Sequence, residues 1–297
     1  MVTAGQLPGW LAPLYPFTPA VWRTPAGARM SYLDEGPRTD SAIILLHGNP
    51  TWSFYYRNLV RQLAPERRCI VPDHIGMGLS DKPQRYNYSL AGRIADLSGL
   101  IEHLGLKQVD LVVHDWGGAI GFGWAVEHEP RVGKLVILNT AAFPSLRIPW
   151  RIAMCRWPGW GAWVVRGANG FASPATHLAM HQRSLTRDER RGYLLPYDSW
   201  AHRVAVHRFV QDIPLELDHP SRPTIERIAR ELPRLALKPK LIGWGGRDFC
   251  FHDHFLARWR ELFPHAELAY YAEAGHYVLE DAGPELTDRI CGFLLTA

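Results

Sequence analysis

Three side chains in this chain of 297 residues stand where chemistry is commonly done. Asp115 lies in Val113-His114-Asp115-Trp116-Gly117-Gly118, between an apolar run and a helical pattern. A tight strand-to-helix turn of this kind is a nucleophile elbow, which pushes one side chain into a pocket. Serine is usual at its centre. A carboxylate there attacks carbon and leaves a covalent ester on the protein. Gly117 and Gly118 allow the close packing the turn needs. The plainer reading is that Asp115 only caps the following helix, a favoured place for Asp. His276, in Ala274-Gly275-His276-Tyr277, follows the last strand signal and is a candidate base for activating water. Asp248, in Gly245-Gly246-Arg247-Asp248, is placed to orient His276 and stabilise its cation. A lone His is more often structural, so His276 counts only with these partners.

A fourth signal is His47-Gly48-Asn49-Pro50 after the first buried strand. The backbone N–H groups of Asn49 and Trp116 are expected to form an oxyanion hole. Their side chains add an amide donor and an indole donor. Two neutral donors aimed at one point suit a soft anion, such as a leaving halide or carboxylate. The plainer reading is that Asn49 stabilises a turn and Trp116 packs in the core. Gly76-Met77-Gly78 only echoes a dinucleotide loop and lacks the full glycine pattern. His252-Asp253-His254 reads as a helix start rather than a metal site. No metal or cofactor is expected.

These residues need a scaffold. Short apolar runs supply six strands: 42–46, 69–72, 109–114, 134–139, 240–244 and 268–272. Met30 to Asp34 adds an antiparallel hairpin at the sheet edge. Helical patterns lie between them at 89–104, 118–128, 254–263 and 285–295, with Ser89 and Asp253 as candidate caps. Strands apolar on both faces, alternating with helices, predict an α/β fold with a mainly parallel sheet. Between about Ala142 and Pro239 the strand signal stops. That stretch reads as a helical cap over the carboxyl ends of the strands, where open α/β sheets bind ligands. Its Trp157, Trp160 and Trp163 are expected to fill the cap core or line the pocket. With Arg151, Arg156 and Arg166 they also suit a surface facing a partner or lipid.

Composition excludes several classes. Hydrophobic residues are 47% and charged residues 21%, ordinary for a folded chain. The net charge of +4 and the lack of a basic run argue against nucleic acid. No apolar run approaches the roughly 20 residues of a membrane span. Met1 to Pro19 shows no secretory pattern. Cys69, Cys155, Cys250 and Cys291 are scattered without a CxxC pair, which fits a reduced, cytoplasmic protein.

The order Asp115, Asp248, His276 is that of α/β-hydrolase triads. With His47-Gly48-Asn49-Pro50-Thr51-Trp52, His114-Asp115-Trp116-Gly117-Gly118 and Gly275-His276-Tyr277-Val278-Leu279-Glu280-Asp281, the chain resembles the haloalkane dehalogenase branch of that fold. The resemblance covers nearly the whole chain. It implies a mostly parallel eight-stranded sheet, with a core from 1–141 and 239–297 and an inserted helical cap at 142–238. It also implies Asp115 as nucleophile, His276 as base, and Asn49 with Trp116 as leaving-group donors. Many dehalogenases carry the triad acid as Glu after the strand before the cap. Asn139 stands there in this chain, so Asp248 takes that role.

A closer resemblance rests on Tyr32-Leu33-Asp34-Glu35-Gly36, Cys69 through Pro83, Asn139-Thr140-Ala141-Ala142-Phe143-Pro144, Pro196-Tyr197-Asp198-Ser199-Trp200 and Arg208 through Leu215. These segments resemble OleB-type β-lactone decarboxylases of bacterial long-chain olefin biosynthesis. The resemblance implies a cis-β-lactone as substrate, a cis-alkene and carbon dioxide as products, and work beside the ligase and reductase of that pathway. Asp115 can attack the lactone carbonyl or its alkyl carbon. The residues leave both open.

The main alternative is a haloalkane dehalogenase working through an alkyl ester of Asp115. Epoxide hydrolases also use Asp, His and Asp, with cap tyrosines for which Tyr193 and Tyr197 are candidates. Asp115 disfavours a serine esterase. Trp116, where fluoroacetate dehalogenases have Arg, disfavours that group. A non-catalytic binding protein on the same scaffold is the reading from another class, and the intact Asp115, Asp248 and His276 argue against it.

Overall fold

Buried parallel strands need apolar side chains on both faces, and β-branched residues suit the pleat. Ser41–Leu46 (β3), Cys69–Pro72 (β4), Gln108–Asp115 (β5), Val132–Thr140 (β6) and Lys240–Gly245 (β7) meet that demand and are almost entirely buried. Glu267–Tyr271 (β8) closes one edge. At the other edge Ala20–Arg23 (β1) and Arg29–Glu35 (β2) form an antiparallel hairpin. The sheet order is β1-β2-β4-β3-β5-β6-β7-β8. The β2–β4 pair is antiparallel and the remaining pairs are parallel. The structure, a computed structural model, describes residues 7–157 and 159–296. Residues 1–6 and 297 of the expected core, and residue 158 of the expected cap, lie outside the described residues. So does the start of the Met1–Pro19 segment.

Helices follow the strands as expected. Ser89 caps the helix Leu90–His103, its hydroxyl accepting from Gly92 N at 3.1 Å. The helix Asp253–Leu262 departs from expectation. Asp253 is its first residue, not its cap. His252 occupies the cap position, and the Asp253 carboxylate instead accepts from the Tyr270 hydroxyl at 2.9 Å. Among the described residues no group of His, Cys, Asp and Glu is placed to hold a metal ion.

Between β6 and β7 the chain forms only helices and turns among the described residues. This insertion is sewn to the sheet side by buried ion pairs. The Arg57 guanidinium pairs with Glu280 and, at 3.1 Å, with Glu189. Arg183 reaches Glu280 at 2.6 Å, and the Tyr193 hydroxyl donates to Glu280 Oε1 at 2.6 Å. A buried charge left without its partner is costly, so this cluster fixes one docking of insertion on core.

Candidate active site

The elbow after β5 explains its own sequence. Asp115 sits at φ 50° and ψ −127°, a backbone conformation disfavoured for a residue with a Cβ. A Cβ on Gly117 would lie 2.0 Å from the Leu46 carbonyl oxygen, so only glycine fits. Thr140 Oγ1 donates to the Asp115 carbonyl and ties β6 to the turn. The Asp115 side chain makes no capping hydrogen bond to the helix Trp116–Glu127. The plain capping reading is therefore wrong.

The carboxylate is instead aimed between the first buried strand and the histidine loop. The Asn49 backbone N–H donates to Asp115 Oδ1 at 2.6 Å. The Trp116 backbone N–H also favours its anion. Gly48 permits this approach, because a Cβ there would stand 2.0 Å from Asp115 Oδ1. The second oxygen, Oδ2, lies 3.8 Å from His276 Nε2. His276 Nδ1 donates to Asp248 Oδ2 at 2.7 Å, and Asp248 Oδ1 accepts from Cys250 N at 2.7 Å. Asp115, Asp248 and His276 thus meet at three strand ends.

Electrostatics set these groups apart from their exposed counterparts. Burial raises the Asp115 pKa, and although His276 and the two amides pull it down, the net shift is upward. Burial works against the His276 cation, but Asp248 and then Asp115 outweigh it, so the His276 pKa is raised. His114, beneath them, donates through Nε2 to the His276 carbonyl at 2.8 Å and fixes that loop. Burial drives its pKa far down, so it is neutral.

Asn139 does not face His276. Its amide donates to Gly245 O at 3.0 Å and accepts from Gly245 N at 2.8 Å. It clasps the end of β6 to the end of β7, just before the loop carrying Asp248. Its φ of 30° suits Asn, which tolerates the left-handed region.

The carboxylate opens into a cavity of about 640 Å³, within the usual range for small-molecule sites. Asn49, Trp116 and His276 line it near Asp115, and Phe143, Phe171, Leu178, Ile213, Phe249 and Phe251 make much of the wall apolar. Asn49 is less free than expected. Its Nδ2 donates to Val206 O at 3.0 Å, leaving one N–H, and its buried Oδ1 has no partner among the described residues. No protein acceptor takes the Trp116 indole N–H among the described residues.

Several expectations fail here. Trp157, Trp160 and Trp163 neither fill the cap core nor line the cavity; they are exposed. Trp150 lines the mouth instead. Tyr193 and Tyr197 are buried outside the cavity, donating to Glu280 and to the Thr51 carbonyl. They cannot protonate an epoxide, which removes the feature favouring an epoxide hydrolase. Missed by the sequence reading was the wall segment Phe249-Cys250-Phe251, whose signal was its place directly after Asp248. Missed too was Asp281. Its carboxylate accepts from Gly275 N and His181 N at 2.7 Å, Gln182 N at 2.9 Å and Arg183 N at 3.1 Å. One side chain thereby joins the histidine loop to the insertion.

A mostly parallel eight-stranded sheet with an acid elbow and a helical insertion defines an α/β-hydrolase, and the family model described as alpha/beta hydrolase fold matches residues 41–283. A cis-3-alkyl-4-alkyloxetan-2-one decarboxylase of Xanthomonas campestris is 47% identical over 293 residues, covering 95% of this chain and 97% of that protein. A protein of the same name from Shewanella oneidensis is 45% identical over 274 residues, covering 90% and 86%. Among solved structures, haloalkane dehalogenase DbeA from Bradyrhizobium elkani superposes with a TM-score of 0.84 at 25% identity, covering 93% and 97%. The chain belongs to the haloalkane dehalogenase-like α/β-hydrolases and, within them, to the family of the cis-3-alkyl-4-alkyloxetan-2-one decarboxylases.

Proposed function

We propose that the protein converts long-chain cis-3,4-dialkyl-β-lactones to cis-alkenes and carbon dioxide, with Asp115 as nucleophile. One observation carries this beyond the family likeness. A buried carboxylate has one oxygen held by backbone N–H and the other facing an apolar cavity. In this reading 1–141 and 239–297 form the hydrolase core and 142–238 its cap.

Asp115 Oδ2 attacks the alkyl-bearing ring carbon that is bonded to the ring oxygen, not the carbonyl carbon. An ester bond to Asp115 forms as the ring C–O bond breaks, leaving a carboxylate on the adjacent carbon. Trp116 Nε1 and the remaining Asn49 amide N–H receive it. The bond to that carboxylate then breaks. Its electron pair becomes the second bond of the alkene while the bond to Asp115 breaks and carbon dioxide leaves. No water is consumed and no net proton moves. Inversion followed by anti departure keeps both alkyl groups on one side, so a cis-lactone gives a cis-alkene.

His276 decides the fate of the ester. As a cation, oriented by Asp248, it stabilises the departing Asp115 carboxylate. As a neutral base it activates water and hydrolyses the ester to a β-hydroxy acid. Its raised pKa favours the first course. The reading also places the enzyme in the cytoplasm beside the ligase and reductase of its pathway, which co-fractionation from cells tests.

The direct test incubates purified protein with a long-chain cis-β-lactone and, separately, with a bromoalkane. Alkene is followed by gas chromatography at low temperature, because such lactones decompose on heating. Alkene formation with little bromide release, both lost in Asp115→Ala, is the expected result. Fast bromide release without alkene would return the site to dehalogenation.

A further inference from the structure

The cap carries a surface that catalysis does not use. From 142 to 187 there are six arginines and no Lys, Asp or Glu. The formal charge of the whole chain is +4, so the remainder carries −2. The same stretch exposes Trp150 by 66%, Trp157 by 61%, Trp163 by 59% and Trp160 by 49%. Trp160 and Trp163 stack with ring centroids 5.7 Å apart. A Cβ on Gly167 would sit 3.6 Å from Trp163 and 3.5 Å from Trp200, so the aromatic surface continues to Trp200. The Arg166 guanidinium lies 4.7 Å over the Trp200 ring. Soluble proteins rarely expose apolar side chains so densely without a use for them.

The surface is continuous in sequence with the cavity mouth. Arg147, Trp150 and Arg151 line that mouth while remaining exposed. Among the described residues neither Arg147 nor Arg151 meets a carboxylate. Trp beside Arg is the composition that sits at a lipid headgroup boundary, rings inward and guanidinium groups on phosphate. Arg156 is paired with Glu216, and Arg183 with Glu189 and Glu280, so the free charge at the mouth is that of Arg147 and Arg151, which is complementary to anionic lipid and would be attracted to the negative cytoplasmic leaflet.

We propose that the Trp- and Arg-rich cap face docks peripherally on an anionic bilayer surface, turning the cavity mouth toward the lipid. No described helix is long and apolar enough to cross a membrane, so the contact is interfacial. A dialkyl substrate of low water solubility would then pass between lipid and cavity without crossing bulk water.

The test needs no turnover, so it is independent of the decarboxylase reading. Wild-type protein is sedimented with phosphatidylglycerol vesicles and with pure phosphatidylcholine vesicles, at low and high salt. Binding to the anionic vesicles that weakens with salt is expected. The double variant Trp160→Ala with Trp163→Ala, which alters no cavity residue, should bind about tenfold more weakly. Its melting temperature should match that of the wild type, which shows that it folds. Wild-type protein left in the supernatant overturns the proposal and assigns the surface to a protein contact. Unaltered vesicle binding by the double variant overturns it as well.

Discussion

Removing the Asp281 carboxylate should loosen the cap and the histidine loop together. Its Oδ2 serves Gly275 N and His181 N, and its Oδ1 serves Gln182 N and Arg183 N. A hydrogen bond to a charged group contributes about 1.5–3 kcal/mol. Four independent bonds would exceed 6 kcal/mol on that scale, but they share one acceptor and water enters after truncation. For Asp281→Ala we therefore expect a loss of about 3–5 kcal/mol, comparable to breaking a buried charged pair. The protein should still fold, since domains have about 5–15 kcal/mol of stability. At this chain length the loss corresponds to a Tm lower by about 5–8 °C. Asp281→Asn is the sharper probe. It keeps one oxygen but turns an NH₂ group toward two backbone donors, so it should cost at least as much as alanine despite its matching shape. Intrinsic tryptophan fluorescence during heating, with urea unfolding, measures both variants. If Asp281→Asn melts within about a degree of the wild type, the carboxylate is not the acceptor described and the reasoning fails.

Three further outcomes follow from the site. In the proposed route the alkene-forming state needs Asp115 ionised and His276 protonated, and both pKa values are raised. Alkene yield should therefore rise with pH as Asp115 ionises, then fall as pH passes the raised His276 value. β-Hydroxy acid should increase over that second range, and chromatography of both products across pH checks the sign. Trp116→Phe keeps the ring and removes the indole N–H, so kcat should fall about 10²-fold in steady-state assays while thermal stability holds. Each methylene removed from a substrate tail should lower kcat/KM about fourfold until the apolar wall is no longer filled, as a homologous lactone series would reveal.

Much of the scaffold was legible because doubly buried strands leave continuous apolar runs, as Ala42–Leu46 and Val109–His114 do. β1 was not, because Ala20–Arg23 alternates between exposed and half-buried residues and presents no buried face. Asp115, Asp248 and His276 could be singled out because each lies at or just beyond a strand end with a glycine within two residues. Their distances could not be read, nor could the tie between Asn49 Nδ2 and Val206, which depends on the packing of the cap. The tryptophans misled for a related reason. Spacing locates Trp157, Trp160 and Trp163 relative to one another, but it does not say which side of the cap meets the core. Asp281 stands out in the sequence only as the end of a motif, since a carboxylate that gathers four backbone N–H groups leaves no local pattern there.

The central claim is that Asp115 leaves its ester by elimination, not hydrolysis. Turnover of a cis-β-lactone in ¹⁸O-water, followed by mass spectrometry of the peptide carrying Asp115, tests it most directly. Hydrolysis would place ¹⁸O in that carboxylate at each turnover. We predict accumulating alkene with an unlabelled Asp115 peptide. Label entering Asp115 in step with alkene, or alkene formed at the wild-type rate by Asp115→Ala, would contradict the account.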